Sequence, residues 1–157
     1  MTRDELVRLV EQYRAGIEAE LQLLRQLAEI ANRQRTETTT RNLAGLGHAA
    51  DERDAIMRSL VMIEEGLRAV RQVLTEHRDV ATTLPGYQDV AARHREAAHL
   101  VNDILAVDQQ SLSALADAEL ARRSAMASLE RGEATLAAYR RVLAPPVASA
   151  TLFDRRG

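Results

Sequence analysis

The sequence predicts an all-α fold: an elongated antiparallel bundle of three or four long helices with coiled-coil-like packing and an irregular C-terminal tail. Three observations predict it. Apolar residues recur at alternating steps of four and three over stretches of about 20 to 30 residues, the spacing of one helix face. The 157-residue chain is 46% hydrophobic but only 3% aromatic, with no Trp and no Cys. Leu, Val, Ile, Met and Ala must therefore fill the interior, and these residues suit close helix–helix packing. Two of the three prolines stand together at Pro145-Pro146, so the chain upstream holds few helix breakers.

The first helix is predicted over residues 3–35. Thr2 and Glu5 have the spacing of a capping box, which satisfies the first free N–H groups. Leu6, Val10, Tyr13, Ile17, Leu24, Leu27 and Ala31 then form one stripe. Glu20 interrupts it, Leu21 beside it widens it, and Leu9 and Leu23 broaden the face as a bundle requires. In "RTETTTRN", Thr36, Thr38, Thr39 and Thr40 lose rotamer freedom in a helix, and their hydroxyls compete for backbone partners. With Gly45 and Gly47 following, residues 36–50 are expected to be a turn region, holding at most a short helical piece through Leu43 and Leu46.

The second helix, predicted over residues 50–80, has the cleanest stripe: Ile56, Leu60, Ile63, Leu67, Val70 and Leu74, extended backwards through Arg53 and Ala49. Met57, Val61 and Val73 are expected to thicken it. Pro85-Gly86 is a turn signal that ends this part. From Tyr87 to Leu143 there is no proline and one glycine, Gly132. Val101, Leu105, Leu112, Leu115, Met126, Leu129, Leu136 and Leu143 keep a helical phase there. A single helix over 87–143 would be about 85 Å long. Either it projects beyond a three-helix core or it breaks near residues 107–111, where Ser111 could cap a new helix. The break is favoured, because unmatched length would leave an apolar stripe in water. Residues 1–144 are thus expected to form one bundle, and residues 145–157 a flexible tail.

Composition narrows function. With 21 basic against 23 acidic residues the net charge is −2, which argues against nucleic-acid binding. All the basic residues are Arg, so Schiff-base chemistry, a lysine base and a Walker-type phosphate clamp are excluded. The lack of Cys excludes disulfides and thiolate chemistry. No apolar run approaches the ~20 residues of a membrane span, and the charged opening "MTRDELVR" predicts no signal peptide. A cytoplasmic protein without membrane insertion is expected. The one metal-like signal is Glu96 with His99, a Glu-x-x-His pair of the di-iron kind. It has no second copy, and inward Glu20 and Glu64 would complete only half a site. No metal, no cofactor and no catalytic residue are expected. Glu20, Arg53, Glu64 and Arg71, which interrupt the stripes, are expected to pair across the bundle and fix its register.

Two segments point to a family. "LVRLVEQYRAGIEAELQLLRQLAEIANRQ", with its early Tyr and dense Leu/Glu seam, is followed after a polar break by "RDAIMRSLVMIEEGLRAVRQVL". The ordering resembles the FlgN-type flagellar export chaperones, whose first helix is followed by a "K..LL..L" helix. Arg53, Ile56, Met57 and Leu60 would fill that pattern, with Arg for Lys. The end, "LAAYRRVLAPPVASATLFDRRG", is similar to the late Tyr, the Pro/Ser-rich linker and the "-YD-x-x-G" ending of members of that family. Leu152, Phe153, Asp154 and Gly157 match it, with Phe for Tyr.

The resemblance implies a non-enzymatic chaperone. It would bind the C-terminal helices of hook-associated proteins, keep them from premature aggregation or assembly, and deliver them to the type III export apparatus, as a monomer or homodimer. The expected contact surface is Met126, Leu129, Leu136, Tyr139, Val142 and Leu143 of the last helix, with Leu152 and Phe153 of the tail. The tail's only Phe is expected to act as a hook for a partner rather than a plug on its own bundle. The alternative is a coiled-coil scaffold or oligomerisation module with no role in secretion.

Overall fold

The structure, a computed structural model, describes residues 1–143, and of Leu143 the backbone only. The expected tail, with Leu152 and Phe153, lies outside the described residues. The described chain is all-α: α1 (Arg3–Thr39), α2 (Leu43–Glu76), a short α3 (Arg78–Ala81) and α4 (Tyr87–Leu143). It divides into two units, one of residues 1–114 and one beginning at Leu115.

In the first unit, α1 is the central element. Thr2 and Glu5 form the capping box, with Glu5 N–H donating to the Thr2 hydroxyl at 3.2 Å and Thr2 N–H to the Glu5 carboxylate at 2.7 Å. The bond from Thr2 N–H, with the Thr2 side chain adding to it, holds the Glu5 carboxyl below its usual range. Every residue of the α1 stripe is buried, Glu20 included, and Leu21 is wholly enclosed. α1 also runs further than the threonines suggest. The hydroxyls of Thr36, Thr38, Thr39 and Thr40 each donate to the carbonyl four residues back, so they bond within the helix rather than compete with it. Thr38 is buried, as is Ala49 opposite the turn in sequence, and this packing outweighs weak propensity. The turn is only Thr40 to Asn42: Arg41 takes φ 57°, and the Asn42 side chain caps α2 by accepting from Gly45 N–H at 3.1 Å. The expected turn region of 36–50 is therefore corrected to three residues.

α2 runs antiparallel to α1, as Arg33–Glu52 near one end and Tyr13–Arg71 near the other require. Gly16 makes the close approach possible. A Cβ there would lie 2.6 Å from Leu67 Cδ2, so the missing side chain is the space Leu67 fills. Ile56, Leu60, Ile63, Leu67, Val70 and Leu74 all face inward, but Met57 and Val61 are exposed and do not thicken the core. α2 ends at His77, whose N–H bonds Val73 O, several residues before the predicted limit. α3 and the Pro85-Gly86 turn, with Gly86 at φ 84°, then reverse the chain over buried Leu84.

The first part of α4 lies parallel to α1, fixed by Arg14–Asp89, Arg25–Glu96 and Arg35–Gln110, and by an ion pair between Glu18 and Arg93. Val90 and Ile104 are buried on it, with Ala97, Leu100 and Val107 packed beside them. This is a different stripe from the predicted one. Val101, Leu105 and Leu112 are exposed. α4 thus carries a second apolar face, which the bundle leaves exposed. Arg53 of α2 ties all three helices together, donating to Asp108 at 2.8 and 2.6 Å and to Gln34 at 2.9 Å.

The second unit is, among the described residues, the remainder of α4. The favoured break at 107–111 is absent: α4 is one helix of 57 residues, and Ser111 lies within it rather than capping a new one. The reason given for a break, apolar residues left in water, describes what is found. None of residues 115–142 is buried.

Candidate functional site

The expected contact residues on α4 are all exposed where their side chains are described: Met126 48%, Leu129 74%, Leu136 69%, Tyr139 62% and Val142 81%. They do not form a single stripe. At 100° per residue, Met126, Leu129 and Leu136 share a face with Leu115, within about 100° of the helix circumference. Tyr139 and Val142 follow at successive steps of three and wind progressively off that face. Leu143 closes α4.

Charged residues recur along the same face: Glu119, Glu133 and Arg140 at multiples of seven, and Arg122 one turn after Glu119. Arg122 donates to Glu119 at 2.8 and 2.9 Å and reaches Met126 Sδ at 3.3 Å. Arg123 adds a bond to Glu119 at 3.1 Å, and the Arg122 hydrogen bonds hold the Glu119 carboxyl below its usual range. The face thus sets one neutralised ion cluster, Glu119 with Arg122 and Arg123, among uncovered aliphatic side chains. A second uncovered apolar cluster, Met57, Val61 and Met62, lies on α2 in the first unit.

A polar chain runs along the seam of the first unit, from buried Tyr13 and Glu20 to exposed Glu64 and His94. Tyr13 Oη lies 2.5 Å from His94 Nε2 and accepts from Arg71 Nε at 3.0 Å. The Tyr13 and His94 rings are 5.5 Å apart, and the Arg71 guanidinium stands 5.7 Å from the phenol centroid. Arg71 also clamps Glu64 with Nη2 at 2.6 and 3.0 Å. The hydrogen bonds to Tyr13 and Glu64 raise the Arg71 pKa, while burial, then the Arg71 charge, lower that of His94. Glu20 ends the chain. Its Oε1 has no hydrogen-bond partner, and burial beside the Glu64 charge pushes its carboxyl up to about 7.

The four interrupting charges do not simply pair with one another. Arg53 finds Asp108, Arg71 finds Glu64 on its own helix, and Glu20 has no cation bound to it. Glu96 forms an ion pair with Arg25 at 2.7 Å rather than joining His99. No cluster of three or more His, Asp or Glu with the geometry of a metal site occurs among the described residues. No helix is long and apolar enough to cross a membrane among those residues.

Sequence reasoning singled out Glu20, Glu64 and Arg71 but missed their link to His94. Tyr13 and His94 are 81 residues apart, and only the parallel register of α1 and α4 brings them together. The available signal was the coincidence of a Tyr, a Glu and an Arg on otherwise aliphatic stripes. No family profile, no curated protein and no solved structure matches the chain.

Proposed function

We propose that the chain is a non-enzymatic, helix-binding module, a class defined by a packed bundle and a long apolar helix face left uncovered. More particularly, we infer a FlgN-type flagellar export chaperone acting in the cytoplasm. The observation that carries the reading is the exposure of Met126, Leu129 and Leu136 on one face of α4, in a segment with no buried residue. Such a face suits an amphipathic helix, which lays its own apolar stripe against it and excludes water from both. The C-terminal helices of hook-associated proteins are the substrates of that chemistry in this reading, and the export apparatus is the destination. Isothermal titration with such a C-terminal fragment tests it. Saturable binding is expected, lost on replacing Leu129 and Leu136 with Asp at unchanged melting temperature. Failure to bind any hook-associated fragment overturns it.

A second reading, a scaffold that pairs with its own copy, has one observation in its favour. If two copies of α4 lay antiparallel about a dyad between Leu120 and Ala121, Glu119 of one would face Arg122 of the other, and Leu115 would face Met126. Sedimentation equilibrium separates the readings. A dimer broken by Glu119→Arg and restored by adding Arg122→Glu supports self-pairing, whereas a monomer at all concentrations removes it.

A further inference from the structure

A cleft of about 370 Å³ opens in the first unit, between α1, the C-terminal end of α2, the start of α3 and the first turns of α4. Val10, Leu74, Val90 and Ala91 give it apolar walls, and Tyr13, held by His94 and Arg71, gives it a polar side. Its volume lies within the ordinary range of small-molecule sites.

The charge of the wall is what stands out. Acidic residues outnumber basic ones in the chain, 23 to 21, yet two guanidinium groups, Arg71 and Arg78, line the cleft and no carboxylate does. Arg71 is already neutralised by Glu64, which its Nη2 clamps, while its Nη1 makes no hydrogen bond. Arg78 makes no side-chain hydrogen bond or ion pair among the described residues. Tyr87 and Val90 place the start of α4 at the rim, and the positive end of a long helix adds to the field. The imidazole of His94, with its pKa lowered, contributes a dipole but no charge. The uncompensated charge of the cleft is therefore close to one.

We propose that this cleft binds a small monocarboxylate with an apolar body. The carboxylate would sit between the fork of Arg78 and the free Nη1 of Arg71, and the body would lie against Leu74, Val90 and Ala91. A planar guanidinium pairs with a carboxylate through two parallel bonds, which gives orientation as well as attraction. One net charge matches a monoanion; a dianion would be left half-compensated in a partly enclosed site. The lining offers both a cationic group and apolar surface, so neither a bare anion nor a neutral hydrocarbon satisfies both.

The test uses the full chain and three probes: 3-phenylpropionate, its amide 3-phenylpropionamide, and acetate. Methyl-resolved NMR titration is expected to show saturable shifts at Val10, Leu74, Val90 and Ala91 with 3-phenylpropionate. The amide lacks the charge and acetate lacks the body, and each is expected to bind at least about tenfold more weakly. Arg78→Gln removes a side chain that holds nothing else in place, so affinity is expected to fall about tenfold at unchanged melting temperature. Ala91→Leu fills the cleft and is expected to abolish the shifts. Absence of saturable shifts at these methyls, equal binding of acid and amide, or an unaltered affinity in Arg78→Gln would each overturn the proposal.

Discussion

Residues 1–114 and residues 115–143 are written in the same alphabet and meet different fates. Leu21 is 0% exposed in α1 and Leu129 is 74% exposed in α4, although both sit in runs of Leu, Ala, Arg and Glu with helical spacing. In the first unit the α1 stripe is met by two further stripes, and its leucines leave water. In the second, no other described element covers it. Periodicity determines which residues share a face. It does not determine whether anything lies on that face.

The largest effects should come from breaking this contrast with one substitution made twice. Leu21→Ala leaves a cavity in a fully enclosed position and is expected to cost about 2–5 kcal/mol. Leu129→Ala, exposed on α4, is expected to change stability by no more than about 0.5 kcal/mol. Urea denaturation measures both. Comparable losses at the two positions would mean that Leu129 is covered in solution, by a second copy or otherwise, and dilution would then restore the difference.

The next effect concerns Glu20, the one carboxylate in the α1 stripe, which faces Glu64 and Arg71 of α2. Because the folded carboxyl holds its proton up to about pH 7, the native state binds more protons than the unfolded chain above the ordinary carboxylate range. Its contribution is present at low pH and lost as pH rises towards 7. Glu20→Gln removes that charge. The variant should exceed the parent chain at pH 8 by as much as about 3 kcal/mol, and the difference should close by about pH 5. Melting at several pH values checks the sign. In the second unit the direction reverses: Glu119, its pKa lowered chiefly by the Arg122 hydrogen bonds, contributes a small effect present above the carboxylate range and lost on acidification.

How much of this could be seen in the sequence depends on how many faces a helix uses. The α1 stripe from Leu6 to Ala31 was legible in full, because α1 has one apolar face and buries it. α4 was legible as a helix but not in its orientation. Its inward stripe of Val90, Ala97, Leu100, Ile104 and Val107 differs in phase from the exposed Val101, Leu105 and Leu112, and periodicity alone does not say which of two apolar faces is covered. The threonine run was misjudged for a different reason. Propensity counts what a hydroxyl can do to the backbone, and here each hydroxyl bonds the carbonyl four residues behind. Of the candidate site, the exposed residues of α4 were legible one by one. The cleft around Tyr13 was not, since it needs the pairing of helices remote in sequence.

Smaller effects sharpen the same comparison through glycine. Gly16→Ala should destabilise by about 1–3 kcal/mol, because the new Cβ falls 2.6 and 2.7 Å from the two Leu67 methyls and Leu67 is buried. Any gain in helix propensity is smaller than the repacking it forces. Leu67→Ala in the Gly16→Ala background is expected to cost less than Leu67→Ala alone, since the added methyl occupies part of the space vacated.

The last prediction has the opposite sign for the same chemical change. Gly132 is helical, and a Cβ built on it meets nothing within 4 Å. Gly132→Ala therefore gains helix propensity, about 1 kcal/mol locally, with no steric cost. The gain should be confined to the second unit: slower amide exchange around residues 128–136 and slightly higher helicity, with the unfolding midpoint of residues 1–114 unchanged. If a partner helix or second copy normally covers this face at close range, Gly132 is instead where its backbone approaches, and Gly132→Ala would weaken that association while still strengthening the free helix. Measuring exchange and association on the same variant distinguishes a glycine that merely interrupts a helix from one that makes room for a neighbour.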